Sequence, residues 1–260
     1  MLMSSMQAFI ESCLADAAKT VEREQKAGLK ITAKARNNMA TSADFASESL
    51  IVGRIRKNYP SSLILSEESY EQGNLLADSL FVIDPIDGTH NFIQGMPLYG
   101  ISIAHFSSGR PTAGGTYLPG QKMLFYSEKG KKATLNGKSM SVTKTARLED
   151  FFIMCDSRLH TIQDLGYMEG IVHLERISQH TRCLGSAVYD MGYVSCGMAD
   201  AAIHIKLKPY DFAAAAFIVG QAGGKVTDFE GRAWSLKTRQ FLSSNGLQHK
   251  RLLEELHTKK

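Results

Sequence analysis

Apolar residues recur along this chain in two rhythms. Phe9, Ile10, Cys13, Leu14, Ala17 and Val21 fall at helical spacing, so residues 5–26 are predicted to form an amphipathic helix stopped by Gly28. A short strand-like run, 29–32, follows, and residues 37–42 are polar and read as a loop. Asp44 then precedes a second periodic stretch with Leu50, Ile51 and Ile55, closed by Pro60. Ser62-Leu63-Ile64-Leu65-Ser66 reads as a strand that delivers Glu67 and Glu68 at its end. From residue 101 to about 140 the rhythm is that of strands and hairpins, with turns at Pro119-Gly120 and Asn136-Gly137.

A second half begins near residue 150. Residues 151–154 read as a strand and 163–178 as a helix carrying Leu165, Met168, Ile171, Val172 and Leu174. Gly185-Ser186-Ala187 opens a helix that runs to about Cys196, and 201–205 is a strand. An alanine-rich helix, 213–221, follows Tyr210-Asp211-Phe212 and ends at Gly223-Gly224. Strands at 225–228 and 241–244 and a helix at about 247–257 complete the pattern. Helices alternating with strands imply layered α/β packing.

The most informative stretch is Phe81-Val82-Ile83-Asp84-Pro85-Ile86-Asp87-Gly88-Thr89. Its apolar start reads as the end of a buried strand, stopped at the Asp-Pro step because proline has no backbone donor. Asp84 and Asp87 then lie on one tight turn. Gly88 permits close backbone approach, and a helix starting behind it would aim free N–H groups at an anion. Two carboxylates on one turn repel each other unless a cation sits between them, and a hard divalent ion such as Mg²⁺ suits oxygen ligands. Taken alone, the same residues also fit a solvated Asp-Gly turn. Asp44 and Asp211, each at a helix start, are equally readable as caps, and Glu67-Glu68 as a surface pair.

Composition narrows the classes. The 260 residues suffice for a large core, and the net charge of +4 is too mild and too dispersed to argue for nucleic-acid binding. Lys129, Lys131 and Lys132 read as a solvated hairpin tip. The four cysteines, Cys13, Cys155, Cys183 and Cys196, lack zinc spacing and read as reduced thiols in a cytoplasmic setting. Glu11 and Asp16 interrupt the first apolar stretch, so no signal peptide is read, and no run approaches membrane-spanning length.

Asp84-Pro85-Ile86-Asp87-Gly88-Thr89 resembles the signature of the inositol monophosphatase family, Mg²⁺-dependent and lithium-sensitive phosphatases. Thr41-Ser42-Ala43-Asp44 resembles the family's Thr-x-x-Asp element, and Ser66-Glu67-Glu68 its Gly-Glu-Glu element, with serine for glycine. Tyr210-Asp211-x-Ala213-Ala214 resembles its Trp-Asp-x-Ala box, with tyrosine for tryptophan, and Gly223-Gly224-x-Val226-x-Asp228 continues it. Gly185-Ser186-Ala187 resembles its substrate-contacting turn. The likeness runs from about residue 30 to 245.

The resemblance implies a fold mixing α+β and α/β character, a layered αβαβα sandwich of the sugar-phosphatase type. It implies one catalytic unit made of an N-terminal half, 1–145, and a C-terminal half, 146–260, in a homodimer. Two or three Mg²⁺ ions are implied. Glu67, Asp84 and the carbonyl of Ile86 would hold one, and Asp84, Asp87 and Asp211 another. Thr89 and Asp44 would activate the attacking water, with Glu67 counted among the catalytic residues. Gly88 and Thr89 N–H groups would bind phosphate, and Asp87, Gly185, Ser186 and Ala187 would face the alcohol. His204 stands where the inositol phosphatases carry a substrate-binding glutamate, so it is expected at the pocket rim. His90 is a second unusual residue, where many relatives carry threonine. Inositol 1-phosphate is the expected substrate. Histidinol phosphate, fructose 1,6-bisphosphate, 3′-phosphoadenosine phosphate and NADP are alternatives, as is a non-catalytic role as a transcription or ribosome partner.

Overall fold

Helix α1 (Ser5–Ala27) forms where the apolar period places it and buries Ile10, Cys13, Leu14, Ala17 and Val21. The structure, a computed structural model, describes residues 5–35, 38–69, 74–156 and 164–257. Strands β1 (Ile31–Ala35) and β2 (Asn38–Thr41) pair as an antiparallel hairpin. The loop expected over 37–42 is therefore corrected. Asn38–Thr41 is a strand, because pairing with β1 supplies hydrogen bonds that the polar side chains alone do not announce, while residue 37 lies outside the described residues.

Helix α2 (Ser42–Asn58) starts two residues before Asp44, with Thr41 as its N-cap. Strand β3 (Leu63–Ser66) lies parallel to β4 (Leu80–Asp87). The Asp-Pro step does not stop β4, a second correction. Asp84 pairs with Ser102 and Asp87 with Gly100, so one extra residue bulges out between them. Proline is tolerated at such a bulge because its missing donor leaves no ladder bond broken. On the other side β3 ends opposite Ile83, so nothing there needs the Pro85 N–H.

Gly88, at φ +91, leads into the short helix α3 (Thr89–Ile93). Strands β5 (Gly100–Ser107), β6 (Arg110–Leu118), β7 (Met123–Glu128), β8 (Thr134–Leu135) and β9 (Lys138–Ser139) continue the sheet as a meander. Among the described residues it has seven strands, β3 to β9, in sequence order.

The second sheet comprises β10 (Phe152–Cys155), β11 (His180–Arg182), β12 (Ala201–His204), β13 (Lys225–Thr227) and β14 (Phe241–Ser244), in the order β11-β10-β12-β14-β13. Its helices are α4 (Asp164–Ile177), α5 (Ala187–Ser195), α6 (Pro209–Gln221) and α7 (His249–Leu256). Helices α1 and α2 cover one face of the large sheet, α5 and α6 lie between the two sheets, and α4 and α7 cover the outer face of the small one. This is the layered αβαβα sandwich the resemblance implies.

Two neighbouring glycines let the layers close on β6. A Cβ on Gly115 would stand 2.6 Å from Ile10 of α1, and one on Gly114 would stand 3.1 Å from the Ala214 backbone of α6. Alternate residues of a strand face opposite sides, so one dipeptide admits a helix on each face. With both faces covered, every residue of β4 is buried, which explains its unbroken apolar start. Phe81 is fully buried there, and its truncation to alanine would cost about 3–5 kcal/mol.

Candidate active site

Asp44, Ser47 and Glu48 sit at helical spacing on α2, and all three are buried. Asp44 Oδ2 accepts the Thr41 N–H at 2.7 Å and the Thr41 hydroxyl at 2.6 Å, while the Ala43 N–H donates to Thr41 Oγ1. The helix start is thus capped in both directions. Asp44 Oδ1 faces the other way, 3.3 Å from Thr89 Oγ1. The cap and the expected catalytic role are compatible, because each reading of Asp44 uses a different carboxylate oxygen. Burial raises the Asp44 pKa, outweighing the Thr41 hydrogen bonds.

The Thr89 hydroxyl also reaches the carbonyl of Ile86 at 2.9 Å. It has one proton to give and two acceptors to choose from. Ser47 Oγ donates to the Pro85 carbonyl at 3.2 Å, which ties α2 to the bulge of β4. Glu48 Oε2 accepts the Glu68 N–H at 2.9 Å and the Ser66 hydroxyl, and so holds the bend that carries Glu67 and Glu68.

Asp84, Asp87 and Asp211 each bring a carboxylate oxygen within 4.8 Å of the others. Asp84 and Asp87 come from the bulged end of β4. Asp211 comes from the first turn of α6, where Pro209 suits the helix start and the Lys208 N–H donates to Asp211 Oδ2 at 2.6 Å. Asp84 Oδ1 accepts the Ile86 N–H at 3.0 Å. Its Oδ2 is buried with no hydrogen-bond partner. Burial drives the Asp84 pKa well up, and the charges of Glu67, Asp87, Asp211 and Asp44 push the same way. A buried unpaired carboxylate oxygen amid like charges fits a hard divalent cation, which would pair all of them at once. Mg²⁺, typical of the family named below, is such an ion.

Glu67 stands outside that trio. Lys34 on β1 places Nζ 3.4 Å from Glu67 Oε1 and 2.5 Å from Glu68 Oε1. Burial raises the Glu67 pKa to about 7, with Glu68 and Asp44 adding to the shift and Lys34 opposing it.

The other end of the site is built around Asp87 and α5. Ser186 caps α5, and its Oγ donates to Asp87 Oδ2 at 2.5 Å. The Val188 N–H reaches the same oxygen at 2.8 Å. Gly88 lies against this turn, where a Cβ would come 3.2 Å from Ser186 Cβ and 2.9 Å from the Leu98 carbonyl. Gly185 adopts φ +78 beside the Asn91 amide, and Ala187 is the buried first residue of α5. Asn91 Nδ2 donates to the carbonyls of Leu98 and Leu184 at 2.8 and 2.6 Å, joining α3 to the turn.

His204 is buried at the end of β12, and its Nε2 lies 3.0 Å from Asp190 Oδ2 on α5. Asp190 has its pKa raised to about 6 by burial, with the His204 contact pulling against it. Asp190 Oδ1 and His204 Nδ1 carry no hydrogen bond. His90 is exposed on α3.

Sequence reasoning therefore names most of the side chains that converge here and misses five that support them: Lys34, Ser47, Glu48, Asn91 and Asp190. Ser47 and Glu48 had a signal, since they share a helical face with Asp44. Asn91 lies two residues past the Asp84–Thr89 motif and carries no signal of its own. Asp190 left no local trace.

Comparisons with known proteins identify the family. The profile of the inositol monophosphatase family matches residues 2–260. The chain is 35% identical over 227 residues to the fructose-1,6-bisphosphatase/inositol-1-monophosphatase of Thermotoga maritima, covering 87% of this chain and 82% of that protein. It is 36% identical over 214 residues to the Nus factor SuhB of Escherichia coli strain K12, covering 82% and 80%. Among solved structures, the extragenic suppressor protein suhB of Bartonella henselae superposes with a TM-score of 0.93 at 28% identity, over 99% of this chain and all of that one, 100%. A profile match over nearly the whole chain, with agreement in sequence and fold, leads to one conclusion: the chain belongs to the inositol monophosphatase family.

Proposed function

We propose that this family phosphatase is a Mg²⁺-dependent phosphomonoesterase acting on a small phosphate ester, with inositol 1-phosphate as its foremost substrate. The observation that carries the reading is the unpaired, buried Asp84 Oδ2 among four other carboxylates. In this reading Asp84, Asp87 and Asp211 hold metal, with Glu67 and the Ile86 carbonyl completing the set for two or three ions. Bound Mg²⁺ would supply charge neutralisation at the phosphoryl oxygens and make a water more acidic.

The chain's own groups do the rest. Thr89 Oγ1 takes a proton from the attacking water as it passes its own to Asp44 Oδ1, 3.3 Å away. The raised pKa of Asp44 suits it to receive that proton. The N–H groups of Gly88 and Thr89 orient the phosphate, where a side chain at residue 88 would strike the Leu98 carbonyl. Asp87, Gly185, Ser186 and Ala187 receive the alcohol, with His204 behind them. Loose phosphoryl transition states leave the protein mainly this positioning and electrostatic work.

The T. maritima relative supports the phosphatase, and its name carries two substrates. Nus factor relatives at 36% identity favour a second reading, a transcription partner protein. Asp44, Glu67, Asp84, Asp87, Thr89 and Asp211 would all be idle in such a protein, so the enzyme reading is preferred. The wider proposal includes a homodimer, a cytoplasmic setting and lithium inhibition. Among the described residues, no helix is long and apolar enough to cross a membrane.

The test is phosphate release from inositol 1-phosphate, fructose 1,6-bisphosphate, 3′-phosphoadenosine 5′-phosphate, histidinol phosphate and NADP, with Mg²⁺ and with or without Li⁺. Preference for inositol 1-phosphate supports the proposal. Preference for another ester reassigns the pocket. Turnover of none, with Mg²⁺ binding intact, favours the partner protein.

A further inference from the structure

Cys155 is the last residue of β10, and Cys183 directly follows β11. The strands run parallel with Met154 opposite Arg182, so the next rung sets the two cysteines side by side. Their sulfur atoms lie 3.1 Å apart. Neighbouring strands are spaced about 4.8 Å apart, inside the Cα separation that a disulfide spans. Cys155 is buried and Cys183 is exposed, so a reagent in solvent meets Cys183 first, with Cys155 already waiting behind it. That is the arrangement of an oxidisable thiol and a resolving thiol.

The segment from Cys183 leads straight into the site. The Leu184 carbonyl accepts from Asn91 at 2.6 Å, and Ser186 bonds Asp87 at 2.5 Å. A covalent tie at Cys183 would fix one end of the turn that the metal-side residues hold at the other.

We propose that Cys155 and Cys183 form a reversible thiol–disulfide site, oxidised by hydroperoxides, whose closed form clamps the 184–188 segment. In the first step the Cys183 thiolate attacks a peroxide oxygen. The O–O bond breaks, Cys183 becomes a sulfenic acid and the leaving oxygen departs as water or an alcohol. In the second step the Cys155 sulfur attacks the Cys183 sulfur. The S–O bond breaks, the S–S bond forms and water leaves with the Cys155 proton. Two thiols are oxidised and one peroxide is reduced. Thiols in the surroundings reverse the reaction by exchange.

The clamp matters for turnover only if the proposed function holds, whereas the disulfide chemistry does not depend on it. The experiment treats the full chain with hydrogen peroxide, then maps peptides by mass spectrometry without reduction. A Cys155–Cys183 cross-linked peptide, loss of two titratable thiols per chain and full recovery with dithiothreitol are expected. Cys183→Ser should abolish the cross-link, and Cys155→Ala should divert Cys183 to sulfinic acid. Sulfinic acid at Cys183 of the unaltered protein with Cys155 untouched, or Cys183 bridging two chains, would overturn the proposal. Amide exchange over 184–188 should slow about tenfold on oxidation, and an unchanged rate would overturn the clamp. Phosphate release is measured on both forms. Its absence from both would count against the proposed function while the mapping result stands.

Discussion

The two ends of the site are built on opposite electrostatic plans. At the metal end, Asp84, Asp87 and Asp211 crowd together with burial and mutual repulsion both driving the Asp84 pKa up. Lys34, by contrast, meets Glu67 and Glu68 rather than that trio. At the alcohol end the polar groups already pair with one another: Ser186 with Asp87, and His204 with Asp190. The metal end is thus a set of crowded carboxylates whose mutual repulsion a bound cation would relieve. In the proposed function, the alcohol end is a preformed wall whose shape would select the substrate. Chemistry should fail when the first is altered, and specificity when the second is.

The largest expected effect is at Asp84. Asp84→Asn should cut Mg²⁺-dependent phosphate release by roughly 10³-fold or more, since a ligand is lost and transition-state charge goes unmet. Removing a like charge should leave thermal stability without metal unchanged or higher, while the stabilisation on adding Mg²⁺ disappears. Near-normal turnover would break the comparison at its first term. Thr89→Val should come next, lowering kcat about 10²-fold with KM little changed, as loss of a proton-transfer group does. Thr89→Ser should recover most of it. A variant that changed KM alone would move Thr89 to the alcohol end.

His204→Gln should leave kcat nearly intact. Acting through its Asp190 partner on α5, it should change KM for inositol 1-phosphate by about tenfold and leave glycerol 2-phosphate unaffected. Equal losses on both esters would mean that the wall does not select.

The smallest effect on turnover should come from His249, outside both ends. It is buried between Thr227 Oγ1 at 2.9 Å and Ser244 Oγ at 2.8 Å. Burial, helped by the Lys225 charge, pushes its pKa down from 6.5 to about 4. The unfolded chain therefore binds the extra proton first, and stability present above pH 6.5 drains away as pH falls towards 4. His249→Asn should flatten that fall by about 3 kcal/mol in urea titrations run between those limits, with activity at neutral pH retained. An unchanged slope would show that another group sets the acid sensitivity.

Much of this molecule was legible before any fold was known. The α1 period, the apolar run into β4 and the residues from Asp84 to Thr89 act through neighbours in sequence, so spacing alone points to a buried strand feeding two carboxylates and a helix start. Helix caps were legible as well, and Asp44 and Asp211 leave room for both readings, each capping a helix start while facing the acidic cluster. Where local reasoning failed, pairing with another strand had overruled it. Residues 38–41 became a strand by pairing with β1, and β4 ran through Pro85 because the β3 edge ends at Ser66 and the β5 ladder bulges.

By itself, then, the sequence determined where the acidic cluster would form: its candidate ligands other than Glu67 and Asp211 lie within four residues of one another on one bulged strand. Only the tertiary structure decided that Glu48 holds the Glu67 bend, that Asn91 joins α3 to Leu184, that His204 faces Asp190, and that Cys155 meets Cys183. Each of those contacts joins residues from separate elements, and side-chain spacing within an element carries no information about which other element will be packed against it.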